Sequence, residues 1–148
     1  MQRQDFDLGA ELAALGAGRT DIGALVSFTG LVRDASGAGL EALELEHFPG
    51  MTEKALAAIE AEARARWPLQ ACLIVHRYGR LAPGERIMMV ATAAAHRQAA
   101  FAAAEFLMDY LKSRAPFWKK ETGAGGARWV EARAADEAAL GRWGRDGK

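Results

Sequence analysis

Three of the chain's five lysines, Lys112, Lys119 and Lys120, fall within nine residues, inside the segment Asp109-Tyr110-Leu111-Lys112-Ser113-Arg114-Ala115-Pro116-Phe117-Trp118-Lys119-Lys120-Glu121. Elsewhere the chain prefers arginine, with 14 Arg to 5 Lys. A lysine amine differs from a guanidinium in one useful respect. Desolvated or crowded by other cations, it gives up its proton and becomes a base or a nucleophile. Three clustered cations beside Phe117 and Trp118 suit that chemistry; equally, they suit a solvated helix end whose cations complement the helix dipole. His96-Arg97 stands where a second helix is expected to begin, and free backbone N–H groups there bind anions. A histidine at a helix start more often caps or packs, but its arginine neighbour makes phosphate binding a fair competitor. Arg33 ends an expected strand before a Gly-rich loop that could act as a lid, a weak signal when taken alone. His47 reads as structural, and His76 and Arg77 read as packing and edge charge in an apolar strand.

The elements that must position these residues follow from periodicity and breakers. A short helix is expected over Leu8 to Leu15, a strand over Ile22 to Val32, and an alternating antiparallel strand over Leu40 to Phe48. Leu56, Ile59 and Ala63 place a helix over Met51 to Arg66, closed by Trp67-Pro68. Ala71 to Tyr78 and Arg86 to Ala93 form an expected hairpin around Gly79 and Pro83-Gly84. Phe101, Ala104, Met108 and Leu111 stripe a long helix over Arg97 to Arg114. Pro116 ends it, Phe117 to Glu121 is extended, a last strand runs Arg128 to Ala132, and a short helix after Asp136 precedes a frayed end. The order predicts an α+β fold with two main helices on a mainly antiparallel sheet. One domain is expected over residues 1–148, with a core of about 20–133 and a tail of about 136–148.

Composition narrows the function. Nineteen Lys plus Arg balance nineteen Asp plus Glu, which argues against a polyanion binder acting through its global field. The balance is uneven along the chain: Glu41 to Arg66 holds six acids and three bases, Cys72 to Lys120 eight bases and three acids. An anion would meet the second stretch. Hydrophobic types make up 51% of the chain, but 33 residues are alanine, so the core should be modest and helix-rich. No apolar run reaches the roughly 20 residues of a membrane span, and the first residues lack a secretory pattern; a cytoplasmic protein is expected. The single cysteine, Cys72, lies inside an apolar run, which excludes an internal disulfide and a cysteine-cluster metal site. The spacing of His47, His76 and His96 matches no compact metal motif. No metal and no cofactor are expected, and any sulfur chemistry must take its reactive atom from outside.

His96 and Lys112 are sixteen residues apart, roughly 24 Å along one helix. They serve separate sites, or two chains share one; a homodimer-shared site, His96 and Arg97 facing Lys112 and Lys119 of the other copy, is the favoured reading.

Several blocks together resemble a known family. Ser27-Phe28-Thr29-Gly30-Leu31-Val32-Arg33, Leu45-Glu46-His47-Phe48-Pro49-Gly50-Met51, Ala95-His96-Arg97, Met108 to Lys120 and Arg128-Trp129-Val130-Glu131-Ala132 are similar to the large, catalytic subunit of molybdopterin synthase, the MoaE family. The blocks keep the family's order and cover about residues 20 to 133. The resemblance implies an α/β hammerhead fold with a small additional β subdomain, and a central homodimer carrying a small ubiquitin-like, MoaD-like carrier at each end. It implies transfer of two sulfurs from the carrier's C-terminal glycine thiocarboxylate to cyclic pyranopterin monophosphate, giving the molybdopterin dithiolene. It matches Lys112 and Lys119 to catalytic positions and Arg33, His96 and Arg97 to the pocket, with Lys120 and Glu121 beside them and Arg133 at a basic position near the end. Phe117 and Trp118 are expected to hold the carrier's tail. Leu31 stands where some relatives carry lysine and is assigned no polar role. Two other classes compete: a nucleotide- or RNA-binding module using Arg77 to Lys120, and a non-catalytic scaffold gripping a ubiquitin-like partner through Phe117-Trp118.

Overall fold

The computed structural model describes residues 1–144 apart from 36, 38 and 132. Its elements run α1 (Leu8–Gly16), β1 (Ala24–Leu31), β2 (Leu40–His47), α2 (Met51–Arg66), β3 (Leu69–His76), β4 (Gly79–Leu81), β5 (Arg86–Ala94), α3 (Arg97–Ser113), β6 (Phe117–Gly123), β7 (Gly126–Trp129) and α4 (Ala134–Ala139), with a 3₁₀ turn over Leu140–Trp143. The strands form two separate sheets, ordered β1-β5-β3 and β4-β2-β6-β7, and every pairing within them is antiparallel. This is the expected mixture of helices and antiparallel strands.

Strand β5 is the spine, with every residue from Met88 to Ala94 buried. Alternation sends Met88 and Val90 toward the core built by Leu56, Ile59, Phe106 and Leu107 of α2 and α3. Met89 and Ala91 face the other way, toward Phe6, Val75 and the partly buried leucines of α1. A strand apolar on both faces needs cover on both, which explains its lack of hydrophobic alternation. A hydroxyl secures the helix layer: Thr92 Oγ1 donates to the Ala100 carbonyl at 2.7 Å. The second sheet has its own core of Val32, Leu43, Leu45 and Leu81.

Gly50, with a positive φ of 84°, precedes the first residue of α2, and the Glu53 carboxylate accepts the Gly50 N–H at 2.6 Å. Glu53 therefore supplies an acceptor for the backbone at the helix start. Thr52 is fully buried and bonds elsewhere: its Oγ1 accepts the Phe48 N–H at 3.1 Å and donates to the Pro116 carbonyl at 3.2 Å. That hydroxyl ties the start of α2 to the corner where α3 hands over to β6.

Boundaries differ from the sequence reading in three places. The hairpin of β3 and β5 forms, but β4 splits off from its connection and pairs with β2. Strand β6 runs two residues beyond Glu121, and the last strand ends at Trp129; Ala132, expected to close it, lies outside the described residues. The short C-terminal helix starts at Ala134, ahead of Asp136, and continues into a turn anchored by Trp143. Trp143 Nε1–H donates to Asp109 Oδ2 at 2.6 Å, and its ring meets Trp67 and Phe106 edge-on. The expected frayed end falls on residues 145–148, outside the described residues.

Replacing Thr52 with valine keeps the shape but strands the Pro116 carbonyl and the Phe48 N–H; Thr52→Val is expected to cost about 1–3 kcal/mol in urea unfolding, and an unchanged midpoint would remove this tie from the account of the α3–β6 corner.

Candidate active site

A cavity of about 830 Å³ opens where the two sheets meet beside the C-terminal end of α3, within the size range of small-molecule sites. Part of its lining is apolar, from Phe28 and Leu31 of β1, Met88 of β5 and Met108 of α3. Charge enters the lining from four different segments: Arg33 after β1, Lys112 in the last turn of α3, Lys119 on β6 and Arg133 ahead of α4.

Strand alternation decides which residues of the Phe117–Glu121 stretch reach this cavity. Phe117, Lys119 and Glu121 line it. Trp118 and Lys120 belong to the other face of β6. Trp118 packs edge-on against Phe48, ring centres 4.3 Å apart, and the Lys120 ammonium sits 5.9 Å from the Trp129 ring centre. Neighbouring strand residues point to opposite faces, so of the pair expected to hold a partner's tail Phe117 lines the cavity and Trp118 does not. Lys120 is likewise outside the cavity it was expected to border.

Lys119 is the most perturbed of the cavity's cations. Burial is the main cause lowering its ammonium from the usual 10.5 to about 8; the Lys112 amine, within hydrogen-bonding reach, adds repulsion, as does Arg133, while Asp136 opposes them. A substantial fraction is therefore neutral amine near physiological pH, the form that accepts a proton. Glu121 is engaged by Arg128 at 3.2 Å. The loop carrying Arg33 is pinned by Asp34, whose Oδ2 accepts the N–H groups of Gly39 and Leu40 at 3.2 and 3.1 Å. On the far side, the Ser113 hydroxyl donates to the Asp136 carbonyl at 2.9 Å and holds α4 against α3.

His96 and Arg97 lie elsewhere. Both are exposed at the N-terminus of α3, beside a separate depression shared with Gly23. The backbones are in such close contact there that a Cβ on Gly23 would sit 2.1 Å from the Ala95 carbonyl oxygen. Helix α3 has 17 residues, so its length of about 25 Å separates this pair from the lysines within one chain. Cys72, on β3, is only partly buried, and its thiol is pushed up to about 12, chiefly by burial. It stays protonated and is a poor nucleophile.

The cavity also contains a residue that the sequence reading assigned to packing. His76 ends β3 almost fully buried, stacks on Phe117 at 4.0 Å, and has its imidazolium lowered to about 4, mainly by burial. Its only signal in the sequence was a polar residue ending an otherwise apolar strand. No cluster of metal-binding side chains occurs among the described residues, and none of the described helices is long and apolar enough to cross a membrane.

Fold and cavity together define a mixed helix and antiparallel-sheet protein with a cation-rich cavity where its two sheets meet. Known proteins agree with that class. A family model described as MoaE protein matches residues 1–114. The chain is 68% identical over 143 residues to the molybdopterin synthase catalytic subunit of Cereibacter sphaeroides, covering 97% of each. It is 54% identical over 141 residues to the protein of that name from Escherichia coli, covering 95% of this chain and 93% of the other. Among solved structures, the molybdopterin biosynthesis MoaE protein of Burkholderia ambifaria matches with a TM-score of 0.84 and 60% identity over 98% of this chain and 96% of that one. Molybdopterin synthase from Staphylococcus aureus matches with a TM-score of 0.80 and 32% identity, covering 87% and 93%. The chain belongs to the MoaE family.

The cost of burying Lys119 has a defined sign. The folded chain holds this proton less tightly than the unfolded one, so Lys119 withholds stability below about pH 8, and that stability returns as pH rises from about 8 toward 10.5. Lys119→Met should raise the thermal midpoint at pH 7 by about 3–8 °C, with the gain shrinking toward pH 10.5. A lower midpoint at pH 7 would refute the burial penalty.

Proposed function

We propose that this chain is the catalytic subunit of a molybdopterin synthase and that the cavity at the sheet junction is its sulfur-transfer site. The observation that carries the reading is Lys119, sunk beside Lys112 in a cavity lined by both cationic and apolar side chains. The substrate is cyclic pyranopterin monophosphate. Two sulfurs arrive in succession as the C-terminal glycine thiocarboxylate of a small ubiquitin-like carrier and end as the dithiolene of molybdopterin. A cyclic phosphate and a thiocarboxylate are both anions, and the guanidinium groups of Arg33 and Arg133 supply forked donors for them. Lys119 in its amine form takes protons and returns them as sulfur adds and the phosphate ring opens. Lys112, at the more exposed rim, balances the negative charge that develops. Cys72 takes no part, since its thiol is protonated and another protein brings the sulfur.

The carrier's narrow glycine tail lies along the apolar lining past Phe117, while Trp118 and Phe48 offer surface to the carrier outside the cavity. The H. pylori complex of subunits 1 and 2 of molybdopterin-converting factor shares this fold, with a TM-score of 0.72. A homodimer completes the site, with His96 and Arg97 of one copy reaching the phosphate in the cavity of the other.

Mixing the protein with thiocarboxylated carrier and cyclic pterin and measuring dithiolene tests the reading directly. Lys119→Ala should lower turnover about 10²–10⁴-fold, Lys112→Ala about 10²–10³-fold, and Lys119→Arg should not rescue, because a guanidinium stays protonated. Cys72→Ala should retain activity. The wild-type rate should climb with pH to a plateau above about 8. Near-normal turnover in both lysine variants would sink the assignment, leaving a scaffold that only grips the carrier.

Mixed dimers test the shared site. His96→Ala and Lys112→Ala are each expected to be nearly inactive, yet re-equilibrated together they should recover about a quarter of wild-type activity, since random pairing makes half the dimers mixed, each with one intact site. No recovery would show that His96 does not work across a dimer.

A further inference from the structure

The chemistry above leaves one polar group in the cavity unused. His76 is 5% exposed and borders the cavity alongside Phe117 and Lys119. Its ring is held from two directions. Nδ1 lies 2.8 Å from the Arg77 carbonyl oxygen, and the ring stacks on Phe117 with planes 15° from parallel. A carbonyl oxygen only accepts, so Nδ1 carries the proton and Nε2 keeps a bare lone pair. No described residue bonds that nitrogen. The one fully sealed side-chain oxygen or nitrogen lacking a partner among the described residues is Gln70 Oε1. His76 Nε2 therefore reaches open space, and the cavity is the space that His76 borders.

We propose that His76 is a substrate-binding, specificity-determining residue, whose Nε2 accepts an N–H from the edge of the planar heterocycle held in the cavity. The proposal rests on the pterin reading and deepens it. Arg33, Lys112, Lys119 and Arg133 are donors when charged, so an anionic group finds many partners here and a ring N–H finds few. Of the acids bordering the cavity, Glu121 is engaged by Arg128, and Glu131 and Asp136 lie on the flank formed by α4 and the segment before it. A carboxylate draws cations as readily as N–H groups, whereas a neutral imidazole selects a hydrogen-bond donor without attracting charge. His76 stays neutral over the working range: burial holds its imidazolium at about 4, with Lys119, the N-terminal ammonium and Lys112 adding repulsion and the Arg77 carbonyl opposing. An acceptor open to the cavity takes its donor from whatever occupies that space, and the N–H of a bound ring supplies one. Nδ1 and the Phe117 stack fix the direction in which the lone pair points.

Three substitutions separate the two nitrogens. His76→Asn keeps an N–H for the Arg77 carbonyl and loses the acceptor. His76→Gln puts a carbonyl near the place of Nε2, and His76→Phe keeps the stack alone. Each purified protein is titrated with cyclic pyranopterin monophosphate and, separately, with inorganic phosphate. Kd for the pterin should rise about tenfold or more in His76→Asn and His76→Phe and stay within about threefold in His76→Gln, while phosphate binding is unchanged in all three. Wild-type pterin affinity in either His76→Asn or His76→Phe overturns the proposal. So does parallel loss of phosphate and pterin binding, which would make His76 a support of the cavity wall. If the wild-type protein binds no pterin, the functional reading itself falls; if it binds pterin and makes dithiolene but the variants bind equally well, only the role of His76 falls.

Discussion

Burying an ammonium group beside a second cation is unfavourable, and a large part of this fold holds Lys119 in that position. Its strand, β6, is paired on both edges, by β2 and β7, so it cannot swing toward solvent. The Thr52 hydroxyl grips the Pro116 carbonyl at the strand's start, and the stack of Phe117 on His76 fixes the next residue. On the far side of the cavity, Trp143 and Ser113 tie the C-terminal segment back onto α3, bringing Arg133 and Asp136 toward Lys119. Each contact is modest. Together they oppose the escape of Lys119 into water, where its pKa would return to the ordinary value and it would stay protonated near neutral pH.

The same arrangement gives a chain of zero net charge a concavity suited to an anion. The acids of the 41–66 stretch lie mostly on exposed faces of β2 and α2, where several are occupied locally: Glu60 by Arg64, Glu62 by Arg66, and Glu53 by the Gly50 N–H. Arg33, Lys112 and Arg133 instead face one concavity, and among the described residues none of them forms an ion pair with a carboxylate. Field lines from cations converging on a low-dielectric cleft concentrate where a ligand sits, whereas paired surface charges cancel within a few ångströms. Helix α3 bears on both candidate anion positions, one at each end, too far apart for a single copy to bring together. That distance is the physical reason a two-fold assembly suits the chemistry.

Much of the fold was legible from the sequence because its signals are local. The apolar spacing of α2 and α3, the breakers at Pro49-Gly50, Pro68 and Pro116, and the apolar runs of β3 and β5 each act over a few residues, and each element formed within a residue or two of expectation. The split into two sheets was not legible. Which strand pairs with which depends on contacts between distant segments, and no pattern within β4, a three-residue strand, says that it leaves the hairpin for β2. Site residues divide the same way. The lysine cluster was visible as an anomaly of composition, but Lys120 and Trp118 were grouped with Lys119 and Phe117 because sequence proximity ignores the two faces of a strand.

The sequence alone determined the chemistry available to this protein: a cluster of lysines in a chain that otherwise prefers arginine, a single cysteine set in an apolar run, and blocks that placed the chain in the MoaE family. Tertiary structure decided which of those groups work together. It lowered the affinity of Lys119 for its proton by removing water and bringing up Lys112, turned Trp118 and Lys120 away, and carried His76 from an apolar strand into the cavity wall. The reason is physical. Residue type and local spacing fix what a side chain is able to do, but desolvation and electrostatic neighbourhood, which set what it does at pH 7, come from segments remote in the chain and exist only once the chain has folded.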